Sequence, residues 1–86
     1  MVWEMKVFIT KKGAKELDKI ADPLAEKISK EIQQLEKSPF PKNSKKLQGQ
    51  ENYRLRIGSF RVIYTVNKKA KEITILRVAD RKTVYR

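Results

Sequence analysis

Apolar residues fall on changing rhythms along this chain, and each change of rhythm marks a change of element. From Trp3 to Ile9, Trp3, Met5, Val7 and Ile9 alternate with Glu4, Lys6 and Phe8, the period of two that a strand requires. Ala14, Leu17 and Ile20 then recur at helical spacing behind Thr10, whose hydroxyl is suited to cap a first turn. Asp22-Pro23 offers a second start: a capping carboxylate, then a proline at the first helical position, where a missing N–H does no harm. Leu24, Ile28, Ile32 and Leu35 follow as one apolar stripe, with Glu26, Lys27, Lys30, Glu31 and Gln34 outside it. Ser38-Pro39-Phe40-Pro41 ends the helical part, because prolines this close forbid further helix.

The stretch from Lys42 to Gln50 is polar and basic and reads as a loop. Beyond it the period returns to two. Tyr53, Leu55 and Ile57 alternate with Arg54 and Arg56, Gly58-Ser59 is suited to a tight turn, and Phe60 to Val66 is β-branched and aromatic. Asn67 to Lys71 reads as another turn and Glu72 to Val78 as a third strand, while Lys82 to Arg86 adds an edge strand or crosses the sheet. The expected fold is α+β. An N-terminal strand and a helical hairpin precede an antiparallel meander of three strands (β-α-α-β-β-β), and the helices pack on one face of the sheet. With 86 residues there is room for one domain, spanning 1–86, and one modest core.

Composition narrows the chemistry. The chain has no cysteine and no histidine, so it lacks thiolate ligands, the commonest metal ligand and the usual general base. No metal or cofactor is expected. No apolar run approaches the roughly 18 to 20 residues that span a bilayer, and the first residues read as a strand and not as a signal segment. The expectation is a soluble, cytoplasmic protein with no membrane partner.

Charge then points to a partner. The formal charge is +11, and it is segregated: residues 1–40 hold 8 Lys against 7 acidic residues, whereas 41–86 hold 13 Lys+Arg against 3 acidic residues. Every arginine (Arg54, Arg56, Arg61, Arg77, Arg81 and Arg86) lies in the second part. Solubility alone needs neither this segregation nor arginine in place of lysine, and arginine's planar fork matches phosphate in a bidentate way.

Strand parity gathers these groups. Arg54 and Arg56 share one side of their strand, and Arg61 joins them across the Gly58-Ser59 turn, with Arg81 placed to close the same surface. Glu51, Glu72 and Asp80 are too few to neutralise such a cluster, whose like-charge repulsion an anionic ligand removes. Arg77 sits in an apolar run, which suggests a partly buried stem with its head at the rim. Tyr64 and Phe60 fit the core side. Tyr85 has few apolar neighbours in sequence and is free to stack on a base or hold a phosphate oxygen.

Three blocks carry a resemblance over nearly the whole chain. Lys46-Leu47-Gln48-Gly49, the run Tyr53-Arg54-Leu55-Arg56-Ile57-Gly58-Ser59-Phe60-Arg61-Val62-Ile63-Tyr64, and Leu76-Arg77-Val78-Ala79-Asp80-Arg81 with Val84-Tyr85 resemble the RelE/ParE toxin superfamily. RelE-type members cut mRNA in the ribosomal A site, and ParE-type members poison DNA gyrase. For a RelE-type mRNA interferase the resemblance implies a toxin of a type II toxin–antitoxin pair, an endoribonuclease that drives a ribose 2′-OH onto the adjacent phosphate. It implies catalytic Arg61 at the scissile phosphate, Arg81 at the leaving group and Tyr85 orienting substrate. Arg54, Arg56, Lys45, Lys46 and Arg77 form the RNA-binding set. The implied partners are a RelB-like antitoxin, which sets the oligomeric state, together with the ribosome and mRNA. Two departures stand out. Arginine occupies position 56, where relatives often use lysine, and it does not readily release a proton. Many relatives carry a histidine near where Asp80 stands, so the general base is open among Asp80, Tyr85 and a ribosomal group. A ParE-like gyrase inhibitor and a non-catalytic RNA-binding domain are the competing readings.

Overall fold

A computed structural model describes residues 3–47 and 52–80. Its elements, in chain order, are β1 (Lys6–Ile9), α1 (Lys11–Asp18), α2 (Leu24–Gln34), β2 (Ser44–Lys46), β3 (Asn52–Ile57), β4 (Phe60–Asn67) and β5 (Glu72–Asp80). The α+β class and the helices-then-strands order are as expected from the apolar rhythm. The strands form one mixed sheet in the order β1-β5-β4-β3-β2. β1 runs parallel to β5, and the other neighbours are antiparallel.

Two local expectations are corrected. Ser44–Lys46, inside the segment read as a loop, is a strand antiparallel to β3, so the meander has four strands and not three. Its polar side chains gave no apolar signal; backbone pairing to β3 carries it, and Asn43 anchors its start. The Asn43 carbonyl accepts the Arg56 N–H at 2.9 Å, and its side-chain amide donates to the Arg56 carbonyl at 2.8 Å and to Glu31 Oε1 at 3.1 Å. At α2, Pro23 and not Asp22 is the N-cap, with no side-chain cap bond; Lys27 N–H reaches the Pro23 carbonyl at 3.1 Å. The cap of α1 is as expected: Thr10 Oγ1 accepts from Gly13 N–H at 3.1 Å.

The core lies between the helices and one sheet face. Ile28, Ile32 and Leu35 from α2 and its C-cap meet Leu55, Ile57, Val62, Tyr64, Ile73, Ile75 and Val78, with Leu17 and Ile20 packed beside them. Burying a side chain of this size stabilises by about 1.5–3 kcal/mol, the main return for ordering so short a chain. Tyr64 is fully buried, and its hydroxyl donates to the Pro39 carbonyl at 2.8 Å, which ties the proline segment to the sheet. Burial pushes its phenol pKa up, which keeps the donor neutral.

Core positions in β5 break strict alternation: Ile73 and Ile75, then Val78. Pairing explains the break. Ile63 faces Arg77 and Tyr64 faces Ile75, so Leu76 is an extra, bulged residue. The bulge keeps Ile75 and Val78 on the helix side and turns Arg77 to the other.

β1 is shorter than its sequence pattern. Met5 N–H bonds to the Glu36 carbonyl at 2.8 Å, so residues before Lys6 are held by the end of α2. Phe8, on the polar side of the alternation, is 48% exposed, while Met5 joins the core.

Candidate nucleic-acid interface

The helix-free face of the sheet holds the cations. Across β2, β3, β4 and β5, pairing forms one row from Lys45 through Arg54 and Ile63 to Arg77, and beside it a row from Arg56 through Arg61 to Ala79. Laterally paired residues have Cβ atoms about 4.5–5.5 Å apart, so Arg56 and Arg61 are direct neighbours of like charge. A short hairpin imposes that geometry. Gly58, at φ 59°, takes the first of two central turn positions, where a left-handed backbone suits strand twist.

Arg54, Arg56 and Lys45, together with Lys42 and Asn43, line an open cleft of about 240 Å³ between the β2–β3 hairpin and its approach. Arg56 and both lysines are exposed, and Arg54 is half-buried. Lys42 was not singled out in the sequence; it joins the cleft because Asn43 fixes the turn into β2.

Arg61 is 4% exposed and is engaged by its surroundings. Burying a guanidinium is costly unless its donors are satisfied, so its head is fixed in place. Arg77 shares the face by parity, yet its head is held at the sheet rim. Its Nε donates to Glu16 Oε1 and Oε2 at 3.1 and 3.0 Å, and its Nη2 to Oε2 at 2.8 Å. Glu16 Oε1 also accepts the Val78 N–H at 2.9 Å, closing the edge of β5 that β1 leaves open. Burial alone would raise the Glu16 pKa. The hydrogen bonds from Arg77 and Val78, with the positive charges of Arg77 and Lys12, outweigh it and hold the carboxyl below its ordinary value. The same bond to Glu16 raises Arg77 against its own desolvation.

The remaining expected residues do not gather in the cleft. Asp80 pairs with Phe60, which faces Ile57 in turn, so its strand parity is that of the core side, and it is engaged by its surroundings. Lys46 pairs with Tyr53, also on the core side, and so parts from Lys45. Arg81 and Tyr85 lie outside the described residues. Among the described residues no group of three or more acidic side chains could hold a metal ion.

These features place the chain in a class of small α+β domains with a mixed five-stranded sheet, helices on one face and a cationic cleft on the other. Residues 7–85 match the family model described as the ParE toxin of the type II toxin–antitoxin system, parDE. The chain belongs to this family, within the RelE/ParE superfamily. It is similar to the toxin in the archaeal RelE–RelB complex from Pyrococcus horikoshii, with 32% identity, 93% of this chain and 98% of that one covered, and a TM-score of 0.83. The Mycobacterium tuberculosis RelBE2 complex shares the fold at 20% identity and a TM-score of 0.80, covering 90% of this chain and 98% of that one. So does the chromosomal ParDE system of Pseudomonas aeruginosa, at 21% identity and a TM-score of 0.72, over 90% and 96% of the two chains. No curated protein sequence matches the chain.

Proposed function

We propose that this toxin is an endoribonuclease that cuts mRNA on the ribosome and is held inactive by a RelB-like antitoxin. The observation that carries this reading is the convergence of Arg54, Arg56 and Arg61 on the helix-free face, beside the cleft that Lys42 and Lys45 help to line. In the reaction, a 2′-oxygen attacks the adjacent phosphorus as its proton leaves. The P–O5′ bond breaks, and a proton goes to the departing 5′-oxygen, leaving a cyclic phosphate and a free 5′-OH. Fixed guanidiniums stabilise the charge that builds on the phosphate oxygens, and such preorganised cations can supply the largest share of catalysis. Arg54 and Arg56 line the cleft already, whereas Arg61, 4% exposed, reaches the phosphate only as RNA binding opens its surroundings. No arginine here serves as the base. Tyr85 or a ribosomal group is left for the base, since Asp80 has core-side parity, and Arg81 serves the leaving group by its charge.

A gyrase inhibitor is the second reading, favoured by the family model's ParE description. One experiment separates the two. The purified chain is added to a translating extract, mRNA ends are mapped by primer extension, and gyrase supercoiling is assayed in parallel. Cuts that need ribosomes support the nuclease, and lost supercoiling with intact mRNA overturns it. Arg56→Ala should reduce cleavage about 10²-fold, the effect of removing one transition-state donor, with a circular-dichroism melt that does not fall, because Arg56 is exposed and faces the like charge of Arg61. Near-normal cleavage by that variant would remove the arginine face from the mechanism.

A further inference from the structure

The second cationic surface of this molecule lies away from the arginine face. Lys46 stands on the core side of β2, opposite Tyr53, while Lys45, one residue earlier, stands with Arg54. Beyond Lys46 a groove of about 670 Å³ opens at the end of the sheet, lined by Tyr53, Lys68 and Lys69 among others. Lys68 Nζ lies 5.4 Å above the ring of Phe40, a side chain 37% exposed. Phe40 is in turn braced by Tyr53 at 5.2 Å and by the edge of Trp3 at 5.8 Å. All three lysines are exposed, and none forms an ion pair with a described acidic residue.

We propose that this groove is a second RNA-backbone site, reached by the same strand that enters the arginine cleft and passes over the β2 edge. The inference rests on the nuclease reading, which brings RNA to that cleft. β2 is the outermost strand of the sheet and only three residues long, so the step from Lys45 on one face to Lys46 on the other crosses a single thin edge. A polymer with a charge on every unit can follow such a path, whereas a small anion would occupy one face alone. Lysines suit the far side because they give charge without demanding a fixed geometry. Edge-on and tilted aromatic contacts brace Phe40 and Tyr53, so little side-chain freedom is left to lose there when phosphate arrives.

The test compares two non-cleavable 2′-O-methyl RNAs by fluorescence anisotropy across a salt series. One is a trinucleotide, too short to leave the arginine face. The other has about 12 nucleotides, within the ~4–16 that one single-strand-binding domain covers. Each neutralised phosphate contributes about 0.7 to the slope of log affinity against log salt for single strands. Lys68→Gln/Lys69→Gln should therefore lower the slope for the longer RNA by about 1.4 and leave trinucleotide binding unchanged. Between about 50 and 200 mM salt, the wild type should lose roughly 7-fold more affinity than the variant. Equal slopes for wild type and variant on the longer RNA overturn the second site while leaving the cleft reading intact. Loss of the slope in the lysine variant, with no effect of Arg54→Ala/Arg56→Ala on either RNA, keeps the groove and removes the cleft. Binding of neither RNA by the wild type overturns both.

Discussion

Glu16 ties distant parts of the chain together through a single carboxylate. It fixes Arg77, sixty-one positions away, and caps the Val78 N–H on a strand edge that has lost its β-partner. A carboxyl with a lowered folded pKa stabilises fully above its unfolded value, near 4.5, and that stability is lost as pH falls through the folded value. Glu16→Gln should therefore cost about 1–2 kcal/mol at pH 7, discounted for the partial exposure of the pair, and much less at pH 3. Urea unfolding at both pH values checks this; an equal cost at both would show that charge has no part in the contact. Its place in an apolar run put Arg77 near a rim but gave no sign of its partner, because a contact between α1 and β5 is long-range. Lys45 and Lys46 were grouped for a related reason. Only when Ser44–Lys46 is a strand does alternation send adjacent lysines to opposite faces.

At the scale of elements, β1, α1 and β5 meet in a close-packed junction. Thr10 Oγ1 both caps α1 and donates to the Leu76 carbonyl at 3.1 Å, while Thr10 N–H bonds to the Ile75 carbonyl at 3.0 Å. Gly13 is buried there. A Cβ on it would come within 3.3 Å of the Ile75 carbonyl oxygen and 3.2 Å of Ile9 Cγ1. Backbone cannot yield as a flexible side chain does, so Gly13→Val should destabilise by about 1–3 kcal/mol despite removing a helical glycine. A thermal melt measures this, and an unchanged midpoint would mean that α1 can slide outward freely. The order of elements, the core stripes and the common face of Arg54, Arg56 and Arg61 were legible because apolar periodicity reports burial directly. β2 was not legible, since a three-residue polar strand has no periodicity to read. The bulge at Leu76 was hidden too: the extra residue is itself apolar and simply lengthens the run that Ile75 belongs to.

For the whole molecule, charge sets the balance. Residues 41–86 carry 13 cations against 3 acids, and much of that excess is spread over a single small sheet and its turns. Self-repulsion of this kind weakens the folded state and is screened by salt over a Debye length of about 10 Å at 0.1 M. Raising salt from about 0.05 to 0.5 M should lift the melting midpoint by several degrees, since about 1 kcal/mol moves a domain of this size by roughly 4–8 °C. A midpoint that falls or stays level with salt would show that the cations are already compensated within the chain.

The sheet order also bears on how the molecule is made. β5 lies between β1 and β4, so the strand synthesised last among those described is the one that joins the earliest to the rest. While β5 is still inside the exit tunnel, β1 has no neighbour to pair with, and α1 has no edge to close. A nascent copy therefore closes its sheet only once β5 has emerged. A half-made chain thus carries neither the completed sheet nor the face on which its cations gather.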